Sequence, residues 1–148
     1  MLFVFSTAIL LNGCGVKYTP KIYGDIANNY NAKGGEEFFG KALLEEATVL
    51  NKFRVQIFEK AVFVWNKNNG TVEVFPFGGN AIKLDYRNLY GKISDYYKSQ
   101  NGIKRYGKPT SIEEFDVHGL ARIRTFEKGI LFWENTNEIV EILLTPEK

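Results

Sequence analysis

Two short apolar stripes and two double-sided apolar runs set the rhythm of the chain. Tyr23, Ile26 and Tyr30 fall at i, i+3 and i+7, and Tyr90, Ile93 and Tyr97 repeat the spacing, which is that of one face of a helix. Gly34-Gly35 and Asn101-Gly102 follow as stops, because glycine and asparagine tolerate the left-handed turn that ends a helix. Downstream, LARIRTF places Leu120, Arg122, Arg124 and Phe126 on one side and Ala121, Ile123 and Thr125 on the other, the alternation of a strand. Glu127-Lys128-Gly129 then reverses the chain, with Gly129 suited to a positive φ in a tight hairpin. Val62–Trp65 and Ile130–Trp133 are apolar at every position and read as central strands covered on both faces. A third strand follows from Ile139 to Leu144.

These segments are two copies of one unit. Displacing the chain so that Tyr23-Gly24 lies on Tyr90-Gly91 also superposes Tyr30 on Tyr97, Gly35 on Gly102 and Gly40-Lys41 on Gly107-Lys108. One residue is gained in the second copy, after which Arg54 matches Arg122, Phe58-Glu59-Lys60 matches Phe126-Glu127-Lys128, Trp65 matches Trp133 and Val72-Glu73 matches Val140-Glu141. Matches kept in one order over this span define an internal repeat. The expected fold class is α+β, each repeat a short helix plus a three-stranded antiparallel β-meander, the two packed into one compact domain. A lone meander would leave an apolar face open, so the copies are expected to bury those faces against each other or around a common centre. Repeat 1 is placed at 22–75 and repeat 2 at 90–144, with 76–89 as a connector whose run Ala81–Tyr86 alternates like an extra strand.

Composition narrows the chemistry. The 148 residues carry 19 basic and 17 acidic side chains, 45% hydrophobic and 15% aromatic content, enough for one packed core. The near-balance of charge, without runs of one sign, argues against a nucleic-acid partner. One histidine, His118, and one cysteine, Cys14, exclude intramolecular disulfides and cysteine-based or histidine-rich metal sites; no metal and no cofactor is expected.

The first residues have a different character. Residues 1–13 form an uncharged apolar run ending at Cys14, too short for a bilayer span, which needs about 20 apolar residues. Leu11-Asn12-Gly13-Cys14 resembles a bacterial lipobox, which implies lipidation of Cys14, a membrane anchor and a domain facing the periplasm or cell exterior. Residues 14–21 then read as a tether.

The second repeat resembles the LGFP repeat, a module of bacterial envelope proteins. Tyr106-Gly107-Lys108-Pro109 stands where the Leu-Gly-Phe-Pro tetrapeptide lies, followed by Gly119, Arg122, Phe126, Gly129 and Trp133. The first repeat has Phe39-Gly40-Lys41-Ala42 and lacks the proline. The resemblance implies a non-catalytic cell-envelope lipoprotein that binds or organises cell-wall polysaccharide or peptidoglycan. The alternative partner is another envelope protein, with the repeat surface as its interface.

Candidate ligand residues follow from the pattern. Arg54 and Gln56 in one copy, and Arg122 and Arg124 in the other, share a strand face beside Phe58 and Phe126, and arginine forks bind carboxylate and phosphate in pairs of hydrogen bonds. The bland reading of that face is solvated polar surface. Trp65 and Trp133 offer rings for sugar stacking, against a reading as core; Phe75 and Phe77, flanking Pro76, are loop aromatics that either bind or pack. The adjacent pairs Glu36-Glu37, Glu45-Glu46 and Glu113-Glu114 do not form a glycosidase dyad, whose carboxylates must face each other across a substrate. Ser111, Asp116 and His118 lack the strand-turn-helix elbow of a serine hydrolase, so no catalytic residue is assigned.

Overall fold

The computed structural model describes residues 4–5, 18–78, 91–111, 115–117, 121–134 and 138–144. Cys14, the run 81–86, Glu113-Glu114, His118 and Gly119 lie outside them. The chain forms two compact units: an N-terminal unit, Thr7–Phe75, and a C-terminal unit comprising Pro76–Lys148 with Met1–Ser6. Each is α+β, with helices on a β-meander.

In the N-terminal unit, helices α1 (Gly24–Ala32) and α2 (Gly35–Phe39) precede strands β2 (Ala47–Val49), β3 (Phe53–Ile57), β4 (Ala61–Asn66) and β5 (Val72–Pro76), paired in sequence order. The C-terminal unit repeats the series with α3 (Lys92–Ser99), α4 (Gly102–Tyr106), β6 (Phe115–Val117), β7 (Ala121–Phe126), β8 (Gly129–Glu134) and β9 (Ile139–Leu143). One further strand, β1 (Val4–Phe5), joins β9 in parallel and completes a five-stranded sheet. The expected single helix and three strands are thus two helices and a four-stranded meander. The additional elements, α2 and α4 at five residues each and β2 and β6 at three each, are shorter than any periodicity can register.

The stops act as joints between paired helices. Gly34 (φ 114°) and Asn101 (φ 54°) take left-handed conformations before α2 and α4. Ile26 and Tyr30 of α1 and Ile93 and Tyr97 of α3 are buried as the stripes predicted, while Tyr23 sits ahead of α1 and is exposed. The stripes build separate clusters, Ile26, Tyr30, Phe58 and Phe63 in one unit and Ile93, Tyr97, Tyr106, Phe126 and Leu131 in the other. Helices therefore cover one face of each meander from within the same unit. The opposite faces, Phe53, Val55, Ile57, Val62 and Val64, and Ile123, Ile130, Phe132, Val140 and Ile142, are equally buried, in keeping with the double-sided apolar runs.

The repeated phrase Phe-Glu-Lys is explained by a clasp built twice. Tyr30 stacks on Phe58 at 4.7 Å between centroids and Tyr97 on Phe126 at 4.9 Å; the Tyr30 hydroxyl donates to Gly40 O (2.9 Å) and that of Tyr97 to Gly107 O (2.8 Å). The Glu59 carboxylate accepts the Lys41 N–H (2.9 Å), and the Glu127 carboxylate accepts the Lys108 N–H (2.7 Å). The backbone N–H groups of Lys60 and Lys128 donate to Phe39 O and Tyr106 O, and their ammonium groups to Glu37 O (3.5 Å) and Lys104 O (2.9 Å), supplying partners for carbonyls that short helices leave open. Gly40 (φ 73°) and Gly107 (φ 76°) sit where a Cβ would run into Glu59 and Glu127, so glycine is required on both conformational and steric grounds.

Gly129 takes a positive φ (159°) as expected, but one residue beyond the turn itself. The two-residue turn is Glu127-Lys128, and Gly129 opens β8 opposite Phe126, where a Cβ would meet Ile142 O of the neighbouring strand. Glu59-Lys60 makes the equivalent turn before Ala61. Neither turn uses a positive φ outside glycine.

Candidate functional site

The mixed strand face is divided by depth. In β3 and β7 the burial pattern is the same at its start: Arg54 and Arg122 are exposed, while Gln56 and Arg124, two residues on, are buried. Register then sets Arg54 opposite Trp65 and Arg122 opposite Trp133, so each unit carries an exposed arginine across from a half-buried indole.

In the N-terminal unit this pair forms a basic shelf. The Arg54 guanidinium lies 5.0 Å from the Trp65 ring centroid, a cation–π arrangement that leaves the edge of the guanidinium toward solvent. Its Nε is 3.3 Å from a Glu46 carboxylate oxygen; the Arg54 side chain is 51% exposed and that of Glu46 16%. Thr48, Asn51, Lys52, Phe53 and Lys67 complete a depression of about 230 Å³ around them. Three cationic side chains and one indole thus line the depression, with the Glu46 carboxylate beside Arg54. Burial pushes the Glu46 carboxyl above its ordinary value, and Arg54 pulls it partly back. At the rim, Leu50 (φ 53°) and Asn51 (φ 56°) occupy the left-handed region in succession, an arrangement unfavourable for leucine.

Trp133 has different neighbours. With Ile139, its partner across β8 and β9, it lines an open cleft of about 430 Å³ together with Lys92, Asp95, Tyr96 and Ser99 of α3. Behind this cleft Glu141 is fully buried and accepts hydrogen bonds from Arg105 Nε (3.1 Å), Arg105 Nη2 and the Tyr106 hydroxyl. Burial, reinforced by the Glu141 carboxylate, raises the Tyr106 phenol well above its ordinary value; burial likewise raises Tyr96.

The remaining sequence candidates belong to the interior. Gln56 donates through Nε2 to Lys21 O (2.9 Å) and Leu44 O (3.1 Å), holding the strand to the segments ahead of it. Arg124 is buried opposite Leu131, and Phe75 and Phe77 are buried rather than displayed on a loop. Ser111 is buried, its Oγ accepting the Thr125 N–H at 3.3 Å. Lys21, read as tether, is pinned by its N–H to Glu45 (3.3 Å), with Tyr18 also donating to Glu45. Among the described residues no group of three or more His, Cys, Asp or Glu could hold a metal ion, and no helix is long and apolar enough to cross a membrane.

Sequence reasoning passed over Lys52 and Lys67, which reach the shelf only because the β3–β4 register brings the two ends of the hairpin together. It set Glu46 aside as one of an adjacent carboxylate pair, whereas its nearness to Arg54 depends on β2 pairing with β3. No protein-family model matches the chain, and no curated protein matches it.

Proposed function

We propose that the chain is a non-catalytic binding module of the cell envelope, an LGFP-like repeat protein anchored through lipidated Cys14, that holds anionic cell-wall polymer on its Arg54/Trp65 shelf. The observation that carries this reading is the exposed Arg54 guanidinium stacked over Trp65, with Lys52 and Lys67 in the same depression. Carboxylate or phosphodiester groups would meet the guanidinium edge, and a sugar ring would meet the indole. The lipobox-like Leu11-Asn12-Gly13-Cys14 supports an envelope location by a separate line.

The test is sedimentation of the full chain with insoluble peptidoglycan sacculi, with secondary anionic polymers retained and after stripping, at low and high salt. Pelleting that needs the anionic polymer, weakens with salt and falls in Arg54→Gln is the expected result. Absence of pelleting under every condition would overturn it.

Phe38, 67% exposed on α2, favours a second reading, docking of another envelope protein. Recovery of a stoichiometric envelope protein that is lost in Phe38→Ser, with no pelleting on wall material, would put that reading first.

A further inference from the structure

Trp133 does not repeat the surroundings of Trp65. Along α3, Lys92, Asp95, Tyr96 and Ser99 fall at i, i+3, i+4 and i+7 and face the cleft whose other wall is Trp133 and Ile139. The floor is rigid, since Tyr96 and Trp133 pack against the buried cluster of Ile93, Tyr97, Phe126 and Leu131. The rim is polar and uncommitted: among the described residues the Lys92 ammonium and the Asp95 carboxylate form no hydrogen bond or ion pair. Ser99 Oγ donates to Tyr96 O at 2.7 Å and accepts from Gln100 Nε2 at 3.3 Å. The corresponding positions of α1 are Asp25, Asn28, Asn29 and Ala32; there Asn29 turns back to Asp25 O (3.2 Å) and alanine replaces the serine. The two indoles have therefore acquired different neighbours: beside Arg122, the counterpart of Arg54 across the hairpin, the C-terminal one faces a lysine and an aspartate on α3 instead of Lys52 and Lys67.

We infer that the Trp133 cleft is a subsite for an uncharged pyranose ring, distinct from the anion shelf at Arg54. Two aromatic side chains supply the apolar surface on which the C–H face of a sugar stacks. Asp95 accepts from a pair of neighbouring hydroxyls, and Lys92 donates to another. The α3 rim carries one charge of each sign, with Lys92 and Asp95 placed to bind hydroxyls, and the cleft is open, so it admits a residue within a chain as readily as a terminal one. Its 430 Å³ lies within the range of about 300–1,000 Å³ common for small-molecule sites. The inference rests on the reading of the chain as a wall-glycan module and adds the class of sugar to it.

The chain has two tryptophans, one in each site, which makes the sites separately observable. In the full chain carrying Trp65→Phe, emission reports Trp133 alone; in Trp133→Phe it reports Trp65 alone. Chitotriose, cellotriose and maltotriose are titrated into the first variant up to the millimolar range. At least one is expected to shift Trp133 emission saturably, with affinity weakened roughly tenfold, or about 1.4 kcal/mol, by Asp95→Ala. Asp95 is exposed on α3, so this variant keeps the fold, and Lys92→Ala provides a second surface probe. Silence of Trp133 toward all three sugars overturns the inference, as does a shift that both substitutions leave intact. Response of Trp65 to anionic wall polymer in Trp133→Phe reads the shelf independently: a responding Trp65 with a silent Trp133 removes the subsite alone, and the reverse removes the anion shelf alone.

Discussion

Glu141 and Glu73 occupy the same place in the two repeats and live in different worlds. Glu141 is fully buried in β9 and bound by Arg105 and Tyr106; Glu73 is half-buried in β5, and the residues matching Arg105 and Tyr106 are Phe38 and Phe39. The cause lies in the sheet. Strand β9 is buried at all five positions, whereas β5 is buried at Phe75 alone. A carboxylate on a fully buried strand needs donors from protein, since an unpaired buried charge is costly. The repeat thus preserves its clasp in both copies and varies its charge chemistry with the depth of the last strand.

The largest expected break in that parallel is Glu141→Ala. It strands Arg105 and Tyr106 without their acceptor and should lower unfolding free energy by about 3–5 kcal/mol in urea titration. Glu73→Ala should change it by less than about 1 kcal/mol. Equal losses at the two positions would show that burial of the last strand does not set the cost of its carboxylate. The clasp predicts the opposite pattern: Tyr30→Phe and Tyr97→Phe each remove one donor from a buried glycine carbonyl, so each should lose about 1–2 kcal/mol, and the two values should agree.

The clasp was legible as a pattern and illegible as a mechanism. Tyr30 with Phe58, and Tyr97 with Phe126, appeared in the sequence as recurrences, but only the fold shows that the recurring Glu caps a backbone N–H beyond a recurring Gly. Central strands β4 and β8 declared themselves through the unbroken apolar runs Val62–Trp65 and Ile130–Trp133. The candidate face was read correctly as one face, yet alternation carries no information on which positions the segments around Lys21 and Leu44 cover, so exposed Arg54 and buried Gln56 looked alike. Lys52, Lys67 and Glu46 were hidden for a related reason, since their proximity is a product of strand register.

Smaller effects sharpen the contrast at the shelf. Leu50→Gly relieves a left-handed leucine at the β2–β3 turn and should stabilise the protein by about 1 kcal/mol in the same titration; a loss of stability would contradict the strain. The Glu46 carboxyl, raised above its ordinary 4.5, binds its proton more tightly folded than unfolded. Its contribution therefore favours folding at low pH and is lost as pH rises through the raised value. Protonation also frees Arg54 of its carboxylate, so retention on anionic wall polymer should strengthen as pH falls through that value, and Glu46→Gln should flatten the dependence in pelleting assays.

Framework and binding surface separate most directly in paired measurements on Arg54→Gln and Glu59→Gln, with urea midpoint and pelleting on polymer-bearing sacculi recorded for each. Arg54→Gln is expected to keep the parent midpoint and lose pelleting, while Glu59→Gln lowers the midpoint and still pellets where it is folded. An Arg54→Gln protein that unfolds and pellets like its parent would contradict the assignment of the shelf as the binding surface.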